Sequence, residues 1–274
     1  MAQSITMNRL DRTIGVKRNT PLVWVLTIPL LVSLLPAGTA RAQTAGPPQQ
    51  RTGPSGAVQQ RLVPGMATYT DEVLYGDVWS RPELSPRDRS LVTISVLIAT
   101  GKPAQLQGHL GRALRNGVTP MEASGVLTHL AIYCGWPSAV TALEVYDQVY
   151  GARDIDTEAL RVAVAPLPAL ASDAARSQSV NDQFATIAPK FAELTNEVVF
   201  DDLWRRSDLS VRDRSLVSIA ALAAMGDDDQ LDLYLLRGIE SGLTRDQIAE
   251  ALTHLAFYAG WSKATKAMTV FGRR

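Results

Sequence analysis

The chain lacks most of the residues on which redox, metal and nucleotide chemistry depend. It has one cysteine, Cys134, so no disulfide can form within the chain and packing must hold the fold. It has three histidines, His109, His129 and His254. They form no HxH or HExxH pattern, and no acidic cluster completes a metal set, so no metal is expected. There is no glycine-rich phosphate loop and no GxSxG nucleophile elbow. Formal net charge is zero, so no global field attracts nucleic acid or a membrane surface. Basic residues are scattered, without the aromatic interleaving of a nucleic-acid platform, and no nucleic-acid partner is expected. No apolar–polar alternation is long enough for a strand, which makes the expected fold class all-α.

One long apolar run does occur, near the start. Arg9, Arg12, Lys17 and Arg18 precede the apolar segment Pro21 to Pro36, and Ala40-Arg41-Ala42 follows as a small-x-small cleavage site. This is the secretory signal pattern. The run is shorter than the roughly 20 residues a spanning helix needs. Residues 1–42 therefore read as a signal peptide cut after Ala42. The mature protein is expected to be periplasmic or secreted, without stable membrane association. Residues 43–60, rich in Gln, Gly and Pro, read as a disordered tether.

The rest of the chain is said twice. DVWSRPELSPRDRSLVTISVLIATG begins at Asp77, and DLWRRSDLSVRDRSLVSIAALAAMG begins at Asp202. THLAIYCGW at 128–136 returns as THLAFYAGW at 253–261, and a single offset of 125 residues runs from Pro64/Pro189 to the C-terminus. So long a repeat means a duplicated domain. The expected layout is a domain over 61–150, a linker over 151–185 and a second domain over 186–274. The linker reads as one or two short helices, Asp156–Val164 and Ala174–Ile187. Residues kept in both copies serve the fold or its symmetry, and those kept in one copy are candidates for chemistry.

Within each unit the pattern is helical. A short helix is expected over Asp71–Trp79. Ser85-Pro86-Arg87-Asp88 is a helix start, with Ser as N-cap and Pro at the first helical position. The helix from Pro86 to Thr100 is apolar nearly all round, which suits the middle of a bundle. Further helices are expected over Pro103–Asn116, from Pro120 to Gly135 with Thr119 and Glu122 as a capping box, and from Trp136 onward.

The candidate chemistry lies on the helix over 103–116. Gln105, His109, Arg112 and Asn116 share one face beside an apolar stripe. Such a row is ordinarily a solvated face. Here, however, the second unit keeps the Gln and Arg, as Gln230 and Arg237, while His109 becomes Tyr234 and Asn116 becomes Ser241. Only the first unit has a group on this face that exchanges protons near neutral pH. His129 and His254, kept in both units, read as hydrogen-bonded structural residues, with His129 a second-choice proton donor. Arg87-Asp88-Arg89 and its twin at 212–214 admit two readings: an intra-unit ion-pair network, or an arginine facing a cavity and gripping a carboxylate. Arg89 and Arg112 lead the second reading. Cys134 reads as an inert small hydrophobe. Tyr133 and Trp136 read as core aromatics that could also line a site.

Together, Trp79, the SPRDRSLV block at 85–92, the strings around Gln105–Leu110 and Ala113–Thr119, and Ala131–Pro137 resemble the carboxymuconolactone decarboxylase family. The resemblance covers the mature chain twice. It implies two tandem all-helical domains, each a bundle of about five to six helices, and a homo-oligomeric ring, by analogy a trimer of tandem chains. It also implies one of two chemistries. The alkylhydroperoxidase-like branch uses a Glu, a CxxC pair and a His. With His109 as the His, those positions fall on Ser90, Lys102 and Gln105, so the thiols of peroxide reduction are missing. The decarboxylase branch needs no cofactor. It needs a dry pocket, a cation for the carboxylate, donors for a developing enolate and a proton donor. The resemblance thus implies a lyase acting on a small carboxylated lactone or related organic acid. His109 would be the proton donor, Arg89 or Arg112 the carboxylate clamp, and Asn116, Gln105, Tyr133 and His129 the substrate-binding residues. A non-catalytic small-acid-binding protein on the same scaffold is the alternative.

Overall fold

The computed structural model describes residues 54–161 and 165–274. The expected signal segment, most of the expected tether and the end of the expected helix over Asp156–Val164 lie outside the described residues. Twelve α-helices are described: α1 (Ala57–Leu62), α2 (Pro64–Thr68), α3 (Pro86–Ala99), α4 (Pro103–Arg115), α5 (Pro120–Tyr133), α6 (Trp136–Gly151), α7 (Asp173–Phe184), α8 (Pro189–Leu194), α9 (Val211–Met225), α10 (Asp228–Glu240), α11 (Arg245–Ala259) and α12 (Trp261–Phe271). No strand appears among the described residues. Helix α1 overlaps the expected tether, which is therefore helical over 57–60. The linker carries a 3-10 turn, Glu158–Arg161, and α7.

The cap residues perform as the sequence suggests. Ser85 Oγ accepts from the Asp88 amide at 3.1 Å, and Ser210 Oγ accepts from Asp213 at 3.1 Å. Thr119 and Glu122 form a reciprocal capping box, as do Thr244 and Gln247. Each such cap is worth about 1 kcal/mol. The stretch over 71–79 is not a plain α-helix. It continues a π-helical turn, Tyr69–Tyr75, and ends in a 3-10 turn, Val78–Ser80. The second unit repeats this with Thr195–Phe200 and Leu203–Arg205. Such π-turns shift side chains off the 3.6-residue register, and here they present Tyr75 and Phe200.

Helices α3 and α9 are apolar all round because they pack against each other at the centre of one compact body. Helix α5 also lies on α9, and its repeat α11 on α3, so one helix of each unit reaches into the other unit. The arrangement is reciprocal, as at a two-fold interface. Arg87 Nη2 donates to Asp213 at 2.8 Å, and Arg212 Nη2 donates to Asp88 at 2.7 Å. The network expected within a unit is present, with Arg87 pairing with Asp88 at 3.2 Å and Arg212 with Asp213 at 2.9 Å, and it also runs between units, because the N-termini of α3 and α9 lie side by side. His254 Nε2 pairs with Thr93 Oγ1 at 2.8 Å, and His129 Nε2 pairs with Ser218 Oγ at 2.8 Å.

His129 and His254 are fully buried, and burial first, then neighbouring arginines, holds both well below the ordinary value of 6.5. The unfolded chain therefore binds protons that the folded chain refuses. The stability from keeping these rings neutral is full above about pH 6.5 and is lost as pH falls below it. Urea midpoints at about pH 5 are expected to fall well below those at about pH 7.5. Equal midpoints would contradict this account.

Candidate functional site

The first site is assembled from both units. Tyr75, Trp79, His109 and Arg112 come from the first, and His254 and Tyr258, one turn apart on α11, come from the second. Tyr75 and Trp79 stack with ring centroids 5.9 Å apart. Arg112 lies over both rings, its guanidinium carbon 4.7 Å from one centre and 5.3 Å from the other. Trp79 Nε1 donates to the Tyr258 hydroxyl at 3.0 Å. His109 meets Tyr258 edge-on, with ring centroids 5.2 Å apart. His254 sits edge-on to Trp79 at 4.9 Å.

Electrostatically the site is cationic, and its side chains His109, Arg112, Tyr75 and Tyr258 are half-buried. Burial, and then the charge of Arg112, pushes His109 down to about 4. The ring is therefore neutral at neutral pH. Burial also raises the Tyr258 phenol above its ordinary value, so it stays protonated. Arg112 is half-buried and, among the described residues, has no carboxylate partner. A depression of about 500 Å³ reaches Tyr258 from outside and is lined by Thr100, Lys102 and Lys263 among others. Two lysines at such a mouth favour anions. The positions related to them by the repeat are Asp227 and Ser138.

Arg89 stands behind this site rather than in it. It is fully buried, and its Nη2 donates to Glu250 Oε1 and to the Arg81 carbonyl, both at 2.9 Å. Its charge is already neutralised, so it is a cation of the core. Asn116 is also engaged elsewhere, donating to Ser90 Oγ at 2.9 Å and tying α4 to α3. Gln105 is exposed at the start of α4. Tyr133 and His129 are not beside His109. Because α5 crosses to the other unit, they belong to a second site, and their repeats Tyr258 and His254 take the corresponding places at the first. Tyr258, Trp79 and Tyr75 are the residues that sequence reasoning missed. The signal for Trp79 and Tyr258 was retention in both copies, which reads equally well as packing, whereas Tyr75 has Phe200 as its repeat.

The second site has the same plan and is filled. Trp204 Nε1 donates to Tyr133 at 2.7 Å, and Tyr234, in the place of His109, bonds to the same hydroxyl at 2.6 Å. Arg237 lies 4.0 Å from the Trp204 ring centre and is held by Asp173 of α7. The two sites also differ in how the buried arginine behind them is neutralised. Glu250 of the other unit serves Arg89, whereas Asp208 of its own unit serves Arg214. Position 125, the repeat of Glu250, is Gly. A Cβ there would come within 3.1 Å of the Asp208 carbonyl oxygen and of Leu209, so glycine permits the close approach of the Asp208 segment.

Cys134 lies at the end of α5, and burial pushes its thiol up to about 12. It is an unreactive thiol at neutral pH. Among the described residues, no three His, Cys, Asp or Glu side chains gather in a way that could hold a metal ion.

Comparison with known proteins gives two matches of the carboxymuconolactone decarboxylase family model, over residues 64–148 and 189–272. Among individual proteins, 4-carboxymuconolactone decarboxylase of Acinetobacter baylyi is 41% identical over 76 residues, which is 28% of this chain and 57% of that protein. Nitrosuccinic acid decarboxylase npaB of Metarhizium robertsii is 39% identical over 82 residues, 30% of this chain and 57% of that protein. An uncharacterized 15.0 kDa protein of Paracoccus denitrificans is 29% identical over 97 residues, 35% of this chain and 72% of that protein. The chain thus spans just over half the length of the two named decarboxylases.

Proposed function

Because the chain belongs to the carboxymuconolactone decarboxylase family, we propose that it is a cofactor-free carboxy-lyase acting on a small carboxylated lactone or related acid. The observation that carries this reading is the pair His109 and Arg112, one turn apart on α4 against the aromatic rings of Tyr258, Tyr75 and Trp79, with the arginine having no carboxylate partner among the described residues. The decarboxylase names of two relatives support the reaction class.

The geometry supports the following roles. Arg112, over the rings of Tyr75 and Trp79, offers its N–H groups to the carboxylate that is retained. The other carboxylate then lies toward the half-buried His109 and Tyr258. Loss of carbon dioxide leaves an electron pair that flows into the conjugated carbonyl, and the Tyr258 O–H is placed to donate to the enolate oxygen that develops. His109, neutral in the empty site, gains a proton more readily once substrate negative charge offsets Arg112. It then hands that proton to the carbon that lost carbon dioxide. The missing thiols at Lys102 and Gln105 weigh against peroxide reduction.

The test is carbon dioxide release from a panel of small carboxylated lactones and related diacids by the purified chain. Release from at least one, with first-order dependence on protein, is expected. Binding of panel members by thermal shift with no release from any would favour the binding-protein reading instead.

A further inference from the structure

The second site carries a ligand of its own. Asp173 begins α7 in the linker, outside both repeat units, yet its side chain, only 11% exposed, meets the arginines stacked on the second unit's aromatic pair. Arg237 Nη1 donates to Oδ1 at 2.6 Å and Nη2 approaches Oδ2 at 3.4 Å. The Leu170 amide donates to Oδ2 at 2.9 Å, and Arg176 Nε reaches Oδ1 at 3.4 Å. The two guanidiniums are backed by aromatic faces, Arg237 by Trp204 at 4.0 Å and Arg176 by Phe200 at 3.6 Å. A fork, a backbone N–H and a second arginine around one carboxylate are the donor set of a carboxylate receptor.

We infer that the second unit's pocket is a binding site for a small carboxylate, occupied by the chain's own Asp173. The repeat supplies the reason to treat receptor and ligand as separate pieces. Arg237 is the counterpart of Arg112 and the aromatic pair Phe200–Trp204 the counterpart of Tyr75–Trp79, so the receptor belongs to the repeated scaffold. Asp173 does not. It lies ahead of the second repeat, and ahead of the first no Asp or Glu occurs anywhere from Arg12 to Thr70. The scaffold occurs twice, and the built-in carboxylate once. Burial pushes the Asp173 carboxyl up, but the hydrogen bond and charge of Arg237 outweigh it and hold the group below its ordinary value. The inference stands on the second site alone and does not depend on lyase activity at the first.

Truncating Asp173 to Ala removes a carboxylate group, which is the size of formate. The experiment is a thermal melt of the Asp173→Ala chain in sodium formate against sodium chloride at equal ionic strength, beside the native chain and the Asp173→Ala/Arg237→Met chain. Formate is expected to raise the midpoint of Asp173→Ala by about 5 °C or more over chloride, while the native chain moves by about 1 °C or less. The double variant should behave like the native chain, because the fork is gone. If Asp173→Ala is unfolded in chloride, the same comparison is read as recovery of helical circular dichroism on refolding into formate. Equal responses of native and Asp173→Ala chains to the two salts, or no preference for formate in either, would overturn the inference. Loss of the preference on Arg237→Met distinguishes a seated carboxylate from a general salt effect.

Discussion

Replacing His109 by Gln is expected to lower turnover of a carboxylated lactone by about 10²–10⁴-fold. Glutamine keeps a polar group of similar reach on α4 but cannot carry a proton. Binding should change little, since Arg112 grips the retained carboxylate, so the loss belongs in kcat rather than KM. The internal control is Tyr133→Phe at the filled site, which should leave kcat within about twofold because no substrate reaches it. Steady-state carbon dioxide release by both variants, with circular dichroism to check folding, decides the matter. A His109→Gln chain within about threefold of the native rate would remove His109 from the proton-transfer role.

The second large effect is structural. Glu250→Ala is expected to destabilise the chain by about 3–5 kcal/mol, the usual cost of stranding a buried charge. Arg89 is fully buried, and its Nε and Nη1 already have no hydrogen-bond partner among the described residues. Glu250 Oε1, 2.9 Å away, is its counter-charge. Because Glu250 comes from α11 and Arg89 from α3, the pair also joins the two units. Glu83→Ala is the comparison. Glu83 meets Arg81 at 3.3 Å with both side chains about 40% exposed, so its loss should cost at most about 1 kcal/mol. Urea unfolding of the two variants measures the difference. A Glu250→Ala chain no less stable than Glu83→Ala would show that Arg89 is solvated or paired by another route.

Much of this was readable from the residues. Ser85, Thr119 and their repeats mark the helix starts because caps act within four residues. The all-round apolar character of 86–100 points to a central helix because only a helix covered on every side tolerates it. His109 and Arg112 stand together because they lie on one face of one helix. What failed to show was anything set by the crossing of the units. Tyr133 and His129 lie in the same unit as His109, but α5 carries them to the other site. The partner of Arg89 lies 161 residues away, a distance at which spacing carries no information. The π-helical turn that presents Tyr75 breaks the helical period, so a pattern built on 3.6 residues misplaces it. Asp173 was hidden for a different reason: it lies in the linker, where no repeat exists to compare it with.

The central claim is one open carboxylate site per chain, centred on Arg112, with its twin closed from within. Isothermal titration of the chain with a carboxylated lactone, or a non-reacting analogue of the lactone that releases carbon dioxide, tests it most directly. The predicted result is about one ligand per chain, falling to none measurable in Arg112→Met. Two equivalent ligands per chain, or unchanged binding in Arg112→Met, would contradict it.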